Sequence, residues 1–96
     1  MKENNRIALI TGSTSGIGES TAYELAGQFD LILCGRNKKK LNNLHEELSK
    51  KTKVKILEFD VRVRDEVVHS ISSLSPKWKN IDVLINSAGF GDYGKF

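Results

Sequence analysis

The chain has 96 residues, 39% of them hydrophobic, with 15 Lys and Arg against 12 Asp and Glu for a formal net charge of +3. That length allows one domain with a modest core, less than the two-sided sheet of a full-size α/β enzyme needs, and the composition argues against disorder. The charge is too mild to imply nucleic-acid binding by itself. Cys34, the single cysteine, excludes an internal disulfide framework and fits a reducing compartment; residues 1–6, MKENNR, lack the apolar core of a signal peptide, and no apolar run is long enough to span a membrane, so the expected setting is soluble and cytoplasmic.

RIALIT (6–11) opens the pattern as an apolar run on consecutive positions, the signature of a strand covered on both faces. A helical segment follows from about Gly16 to Gly27, expected to bury Ile17, Ala22, Leu25 and Ala26, with Gly27 placed to stop it. FDLILC (29–34) is the second strand. A helix from about Lys38 to Lys51 puts Leu41, Leu44 and Leu48 on one stripe. VKILEF (54–59) is the third strand, and a helix from about Asp65 to Leu74 aligns Val67, Val68, Ile71 and Leu74, with Pro76 just beyond its end. IDVLIN (81–86) is the fourth strand. Strands alternating with helices give β-α-β-α-β-α-β, which right-handed crossovers wind into a parallel α/β sheet of order 3-2-1-4 with helices on both faces. Only ten residues follow the fourth strand, so its outer edge is expected to be bare. Either the chain is the leading part of a longer protein, or a second copy docks there as a homodimer.

The junction between first strand and first helix reads TGSTSGIG (11–18), with glycines at 12, 16 and 18. In a dinucleotide site, Gly12 makes the tight turn and Gly16 leaves room for the backbone to approach a diphosphate. Gly18 lets the helix sit near the strand, and free amides of the first helical turn face the anion. An ordinary strand-to-helix turn is the plain alternative; the missing Gly-Lys-Ser/Thr ending excludes a nucleoside-triphosphate loop.

The sequence resembles the N-terminal part of a short-chain dehydrogenase/reductase of the classical type. TGSTSGIG matches the family's TGxxxGIG loop, and Asp60-Val61 matches its Asp-Val pair beside the adenine. IDVLINSAG (81–89) matches D-x-L-x-N-x-A-G, and GFGDYGKF (89–96) resembles what often follows. The resemblance implies a Rossmann-type fold, incomplete at four strands, with residues 1–96 forming one partial dinucleotide-binding domain that lacks the catalytic half. It also implies cofactor contacts from Gly12, Ser13, Ser15, Gly16, Ile17, Gly18, Asp60, Val61, Asn86, Ala88 and Gly89. Two residues depart from the family pattern. Ser87 stands where a second Asn is usual, and its hydroxyl can still bond locally. Arg62 replaces a capping Thr or Ser, so a weaker cap is expected on the third helix.

NAD-using dinucleotide folds place an Asp or Glu about 20 residues beyond the glycines, at the end of the second strand, to hold the ribose 2′-OH. Here the acidic position is Gly35, and Arg36 follows, whose guanidinium can bind a 2′-phosphate. By resemblance, Ser13 adds a hydroxyl to that phosphate. NADP(H) is therefore the expected cofactor, ahead of NAD. Lys38, Lys39 and Lys40 fit a nearby phosphate, although a solvated basic face explains them equally well.

For Asp60 the alternative is a strand-end residue capping the turn, with the adenine-pocket role favoured by the resemblance; Asn86 also reads as a residue that holds the sheet together. Thr11 is expected to tie the glycine loop to the fourth strand. His45 and His69 are read as surface residues, with no metal site, and Cys34 and Trp78 as packing. The family's chemistry needs a Ser and a Tyr-x-x-x-Lys pair. Tyr93 and Lys95 have the wrong spacing and Tyr23 lacks a lysine four residues on, so no residue is assigned as catalytic. One reading is the NADP(H)-binding leading part of an oxidoreductase whose complete form acts on a small carbonyl or alcohol substrate. The other is a non-catalytic nucleotide-binding or regulatory module that dimerises through its edge strand. A nucleic-acid partner is disfavoured, because aromatic residues do not interleave with the basic ones.

Overall fold

The computed structural model describes residues 6–87. Four strands, β1 (Arg6–Thr11), β2 (Phe29–Gly35), β3 (Val54–Glu58) and β4 (Val83–Asn86), form one parallel sheet of order β3-β2-β1-β4. The helices are α1 (Gly16–Leu25), α2 (Lys38–Leu48), α3 (Arg64–Ser72) and a short α4 (Pro76–Lys79). Among the described residues, no helix is long and apolar enough to cross a membrane.

The consecutive apolar residues of β1 and β2 are explained by two separate cores. Ala8, Ile10, Leu31 and Leu33 point to one face and pack with Ala22 of α1 and Leu41, Leu44 and Leu48 of α2. Ile7, Leu9, Ile32 and Cys34 point to the other and pack with Leu57, Phe59 and Leu74, joined by Val67 and Ile71 of α3 and Trp78 of α4. Side-chain alternation along each strand supplies both faces at once. The leucine stripe of α2 is buried as its spacing demands.

The structure departs from the periodicity at three points. Ile17, expected in the core, is 69% exposed in the first turn of α1, beyond the carboxyl end of the sheet. Val68, expected on the α3 stripe, is 54% exposed; it lies about 100° around the helix from Val67 and about 60° from Ile71, which do face the sheet. Pro76 does more than follow a helix end, because it starts α4 at the first helical position, where its missing N–H is no loss.

Among the described residues, β4 pairs only with β1, and Leu84 on it is 47% exposed. Its start is shorter than the apolar run suggested. Asp82 precedes the strand and clasps the start of β1: its carboxylate accepts from the Ile7 amide at 2.8 Å, and its own amide donates to the Ile7 carbonyl at 2.8 Å.

Candidate dinucleotide-binding site

All four strands run parallel, so Thr11, Gly35, Glu58 and Asn86 end at the same edge of the sheet, with Thr11 opposite Asn86 and Gly35 opposite Glu58. Ligands bind at such an edge, where the crossovers from a central strand diverge. Here that strand is β1, flanked by β2 and β4.

The glycine loop leaves β1 through Gly12, whose φ of 66° lies in the left-handed region that suits glycine. Ser15 then caps α1. Its hydroxyl donates to the Gly12 carbonyl at 2.7 Å and accepts from the Gly18 amide at 3.1 Å. The amides of Gly16 and Ile17, in the first turn, have no intrahelical acceptor and lie at the positive end of the helix dipole. The two later glycines have different surroundings. A Cβ on Gly16 would meet nothing within 4 Å, whereas one on Gly18 would collide with the Gly12 carbonyl oxygen and lie 2.9 Å from Ser87 Oγ. Gly18 is therefore required by the fold itself, and Gly16 keeps open the space over the free amides.

Hydrogen bonds beneath the loop tie it to the sheet. Thr11 is buried, and its hydroxyl donates to Asn86 Oδ1 at 2.9 Å, the link to the fourth strand that its position suggested. Ser87 donates to the Thr11 carbonyl at 2.6 Å, so the serine that replaces the usual asparagine bonds locally. Asn86 thus holds the sheet edge together. Ala88 and Gly89, also expected at the cofactor, lie outside the described residues.

Ser13 requires a correction. It was expected to offer its hydroxyl to a phosphate, but it is fully buried. Its Oγ donates to the Ile10 carbonyl at 2.7 Å and accepts from the Cys34 amide at 3.1 Å, while its own amide donates to the Cys34 carbonyl at 2.9 Å. The residue extends the β1–β2 ladder and presents no hydroxyl to a ligand. Thr14, the next residue of the loop, has different surroundings. It is partly exposed, and a Cβ on Gly35 would meet its Oγ1 at 3.5 Å, which puts a hydroxyl beside the end of β2.

At that strand end Gly35 supplies no carboxylate, and the Arg36 side chain is 66% exposed. Asp60 lies across from it. Arg62 grips Asp60 through Nε to Oδ1 at 3.1 Å, Nη2 to Oδ2 at 3.0 Å and its backbone amide to Oδ1 at 2.9 Å. These bonds, the guanidinium's first and then the amide's, hold the Asp60 carboxyl down to about 2. Arg36 Nη1 also stands 3.6 Å from Asp60 Oδ2. The carboxylate is therefore engaged in its own turn, and Val61 beside it packs against the second core. Val63, not Arg62, is the N-cap of α3, and it makes no side-chain cap hydrogen bond. Lys38, Lys39 and Lys40 are exposed in the first turn of α2, which Asn37 caps through the Lys40 amide at 3.1 Å.

The remaining residues behave as packing or surface. Burial pushes the Cys34 thiol up to about 12, and His45 and His69 are exposed. Among the described residues, no cluster of His, Cys, Asp or Glu is arranged to hold a metal ion.

A family model described as short chain dehydrogenase matches residues 6–96. An oxidoreductase of Staphylococcus epidermidis is 34% identical over 89 residues, which are 92% of this chain and 38% of that protein. An NADP-dependent 3-hydroxy acid dehydrogenase of Escherichia coli is 37% identical over 84 residues, 86% of this chain and 33% of its own length. The L-sorbose reductase of Gluconobacter frateurii, solved with NADPH and L-sorbose, superposes with a TM-score of 0.81 at 28% identity, covering 99% of this chain and 37% of the reductase. The chain thus spans between a third and two fifths of these proteins.

Proposed function

Because the chain belongs to the short-chain dehydrogenase family, we propose that it forms the NADP(H)-binding part of a dehydrogenase or reductase. The whole protein would move a hydride between the nicotinamide ring and a carbonyl or alcohol carbon of a small molecule. The observation that carries the cofactor choice is the end of β2, where Gly35 offers no carboxylate to a ribose 2′-OH and an exposed Arg36 follows. A carboxylate there would repel a 2′-phosphate, whereas a guanidinium binds it with two parallel hydrogen bonds. The junction fits the rest of the coenzyme: open space at Gly16 and two unused amides suit a diphosphate. Thr14 adds a hydroxyl beside Arg36 in this reading. The relative described as NADP-dependent and the reductase solved with NADPH support the same choice.

A bound coenzyme would supply a nicotinamide ring able to donate or accept the hydride. Among these 96 residues no tyrosine has a lysine four residues on, the pair expected to donate the family's proton, and the role proposed for them is to bind and orient the coenzyme. Calorimetric titration of the protein with NADPH and NADH tests the reading. NADPH should bind more tightly, and Arg36→Ala should remove about 1.5–3 kcal/mol of that preference, the worth of hydrogen bonds to a charged group. Equal affinity for the two coenzymes, or a preference untouched by Arg36→Ala, would refute it.

A further inference from the structure

Arg62 stands where the family pattern has a small capping residue, one position before Val63, the N-cap of α3. Its guanidinium and amide make three hydrogen bonds to Asp60 at 2.9–3.1 Å. Asp60 is held from the other side as well, since its amide donates to Glu66 Oε1 at 2.9 Å. Among the described residues, Asp60 is the carboxylate that pairs with Arg36, and that contact is the longer one, at 3.6 Å to the oxygen Arg62 Nη2 already occupies. One carboxylate thus faces two guanidiniums, and Arg62 holds it in the fork geometry that satisfies both oxygens.

A 2′-phosphate and Asp60 compete for Arg36. An unmatched carboxylate would draw Arg36 into a bidentate pair of its own and set a negative charge beside the phosphate. From this geometry we infer that Arg62 is a positioning residue for 2′-phosphate recognition: by satisfying Asp60 it leaves Arg36 available to the phosphate. The inference rests on Arg36 being the phosphate ligand. Arg62 needs no contact with the nucleotide to act in this way. The effect is modest in size, because all three side chains are at least partly open to water, where such pairs are weak.

Two nucleotides that differ only at the 2′ position provide the test: adenosine 2′,5′-bisphosphate and adenosine 5′-monophosphate, titrated calorimetrically into the protein and its variants. Arg62→Gln should weaken the bisphosphate about two- to fivefold, the range for an exposed ion pair, and leave the monophosphate unchanged. In an Asp60→Asn background, which keeps an acceptor for the Arg62 amide, Arg62→Gln should cause no further loss. A loss of the same size in that background would overturn the inference, because Arg62 would then be touching the phosphate directly. Equal weakening of both nucleotides would also overturn it, because Arg62 would then merely hold the turn. No change in bisphosphate affinity would overturn it outright. Arg36→Gln separates this inference from the reading beneath it. If that variant leaves the difference between the two nucleotides intact, Arg36 is not the phosphate ligand, whatever Arg62 does.

Discussion

Gly16 and Gly18 lie two residues apart in one motif, and alanine should affect them in opposite ways. A methyl group on Gly18 would be driven into the Gly12 carbonyl and against Ser87 Oγ. Neither can yield easily. The Gly12 oxygen accepts from the Ser15 amide at 3.0 Å and the Ser15 hydroxyl at 2.7 Å, and Ser87 is hooked to the Thr11 carbonyl at 2.6 Å. Overpacking of this kind costs about 1–3 kcal/mol, and anchored backbone puts Gly18→Ala in the upper half of that range. Gly16→Ala meets open space at the start of a helix, so stability should hold or rise by up to about 1 kcal/mol. The same methyl would, however, stand where a diphosphate approaches the Gly16 and Ile17 amides. Losing hydrogen bonds to a charged group should then weaken NADPH by about 1.5–3 kcal/mol, or roughly 10- to 150-fold. Urea denaturation reads the first effect and calorimetry the second. A Gly16→Ala variant that folds normally and binds NADPH as the parent does would refute the reasoning, as would a Gly18→Ala variant of unchanged stability.

Ser13→Ala should destabilise by about 1–3 kcal/mol in urea, because it strips the buried Cys34 amide of its acceptor, while the preference for NADPH over NADH stays the same; a lost preference would restore Ser13 as a phosphate ligand. Thr11→Val should cost about 0.5–3 kcal/mol by the same assay, since it removes the donor to Asn86 Oδ1 at the β1–β4 seam. Asp60 has a carboxyl near 2 in the folded protein, below its ordinary value of 3.8, so its contribution to stability is present above pH 4 and fades as pH falls towards 2. An NMR titration of its carboxyl carbon should show that midpoint, and Arg62→Gln should move it upward. Cys34 has the opposite sign. Its thiol is raised from 9.0 to about 12, so its contribution is intact below pH 9 and declines as pH climbs towards 12, and a thiol reagent at pH 8 should label it only on unfolding.

Much of the fold was legible because β1 and β2 are apolar on successive residues, which only a sheet covered on both faces explains. Strand order was read from the alternation of strands and helices joined by right-handed crossovers. Periodicity was less reliable for individual helix residues. Ile17 and Val68 are apolar at plausible spacings, but spacing does not reveal where the sheet beneath a helix stops or how far a residue lies from the buried stripe. The four residues of α4 are too few to show any period. Within the site, Gly12 and Gly18 could be placed because a side chain would strain the turn or collide with the packing, and Gly16 because the proposed diphosphate needs the open space there. Ser13 and Thr14 could not be told apart, since a hydroxyl in a loop reads alike whether it points into the sheet or out of it. The continuing β1–β2 ladder decides the matter, and it turns Ser13 inward.

The central claim is that the β1–α1 junction is kept bare for a diphosphate. A crystal structure of the protein with NADPH tests it most directly. The diphosphate oxygens should lie within hydrogen-bonding distance of the Gly16 and Ile17 amides, with the 2′-phosphate on Arg36. A coenzyme bound elsewhere, or a junction filled by one of the protein's own side chains, would contradict the account.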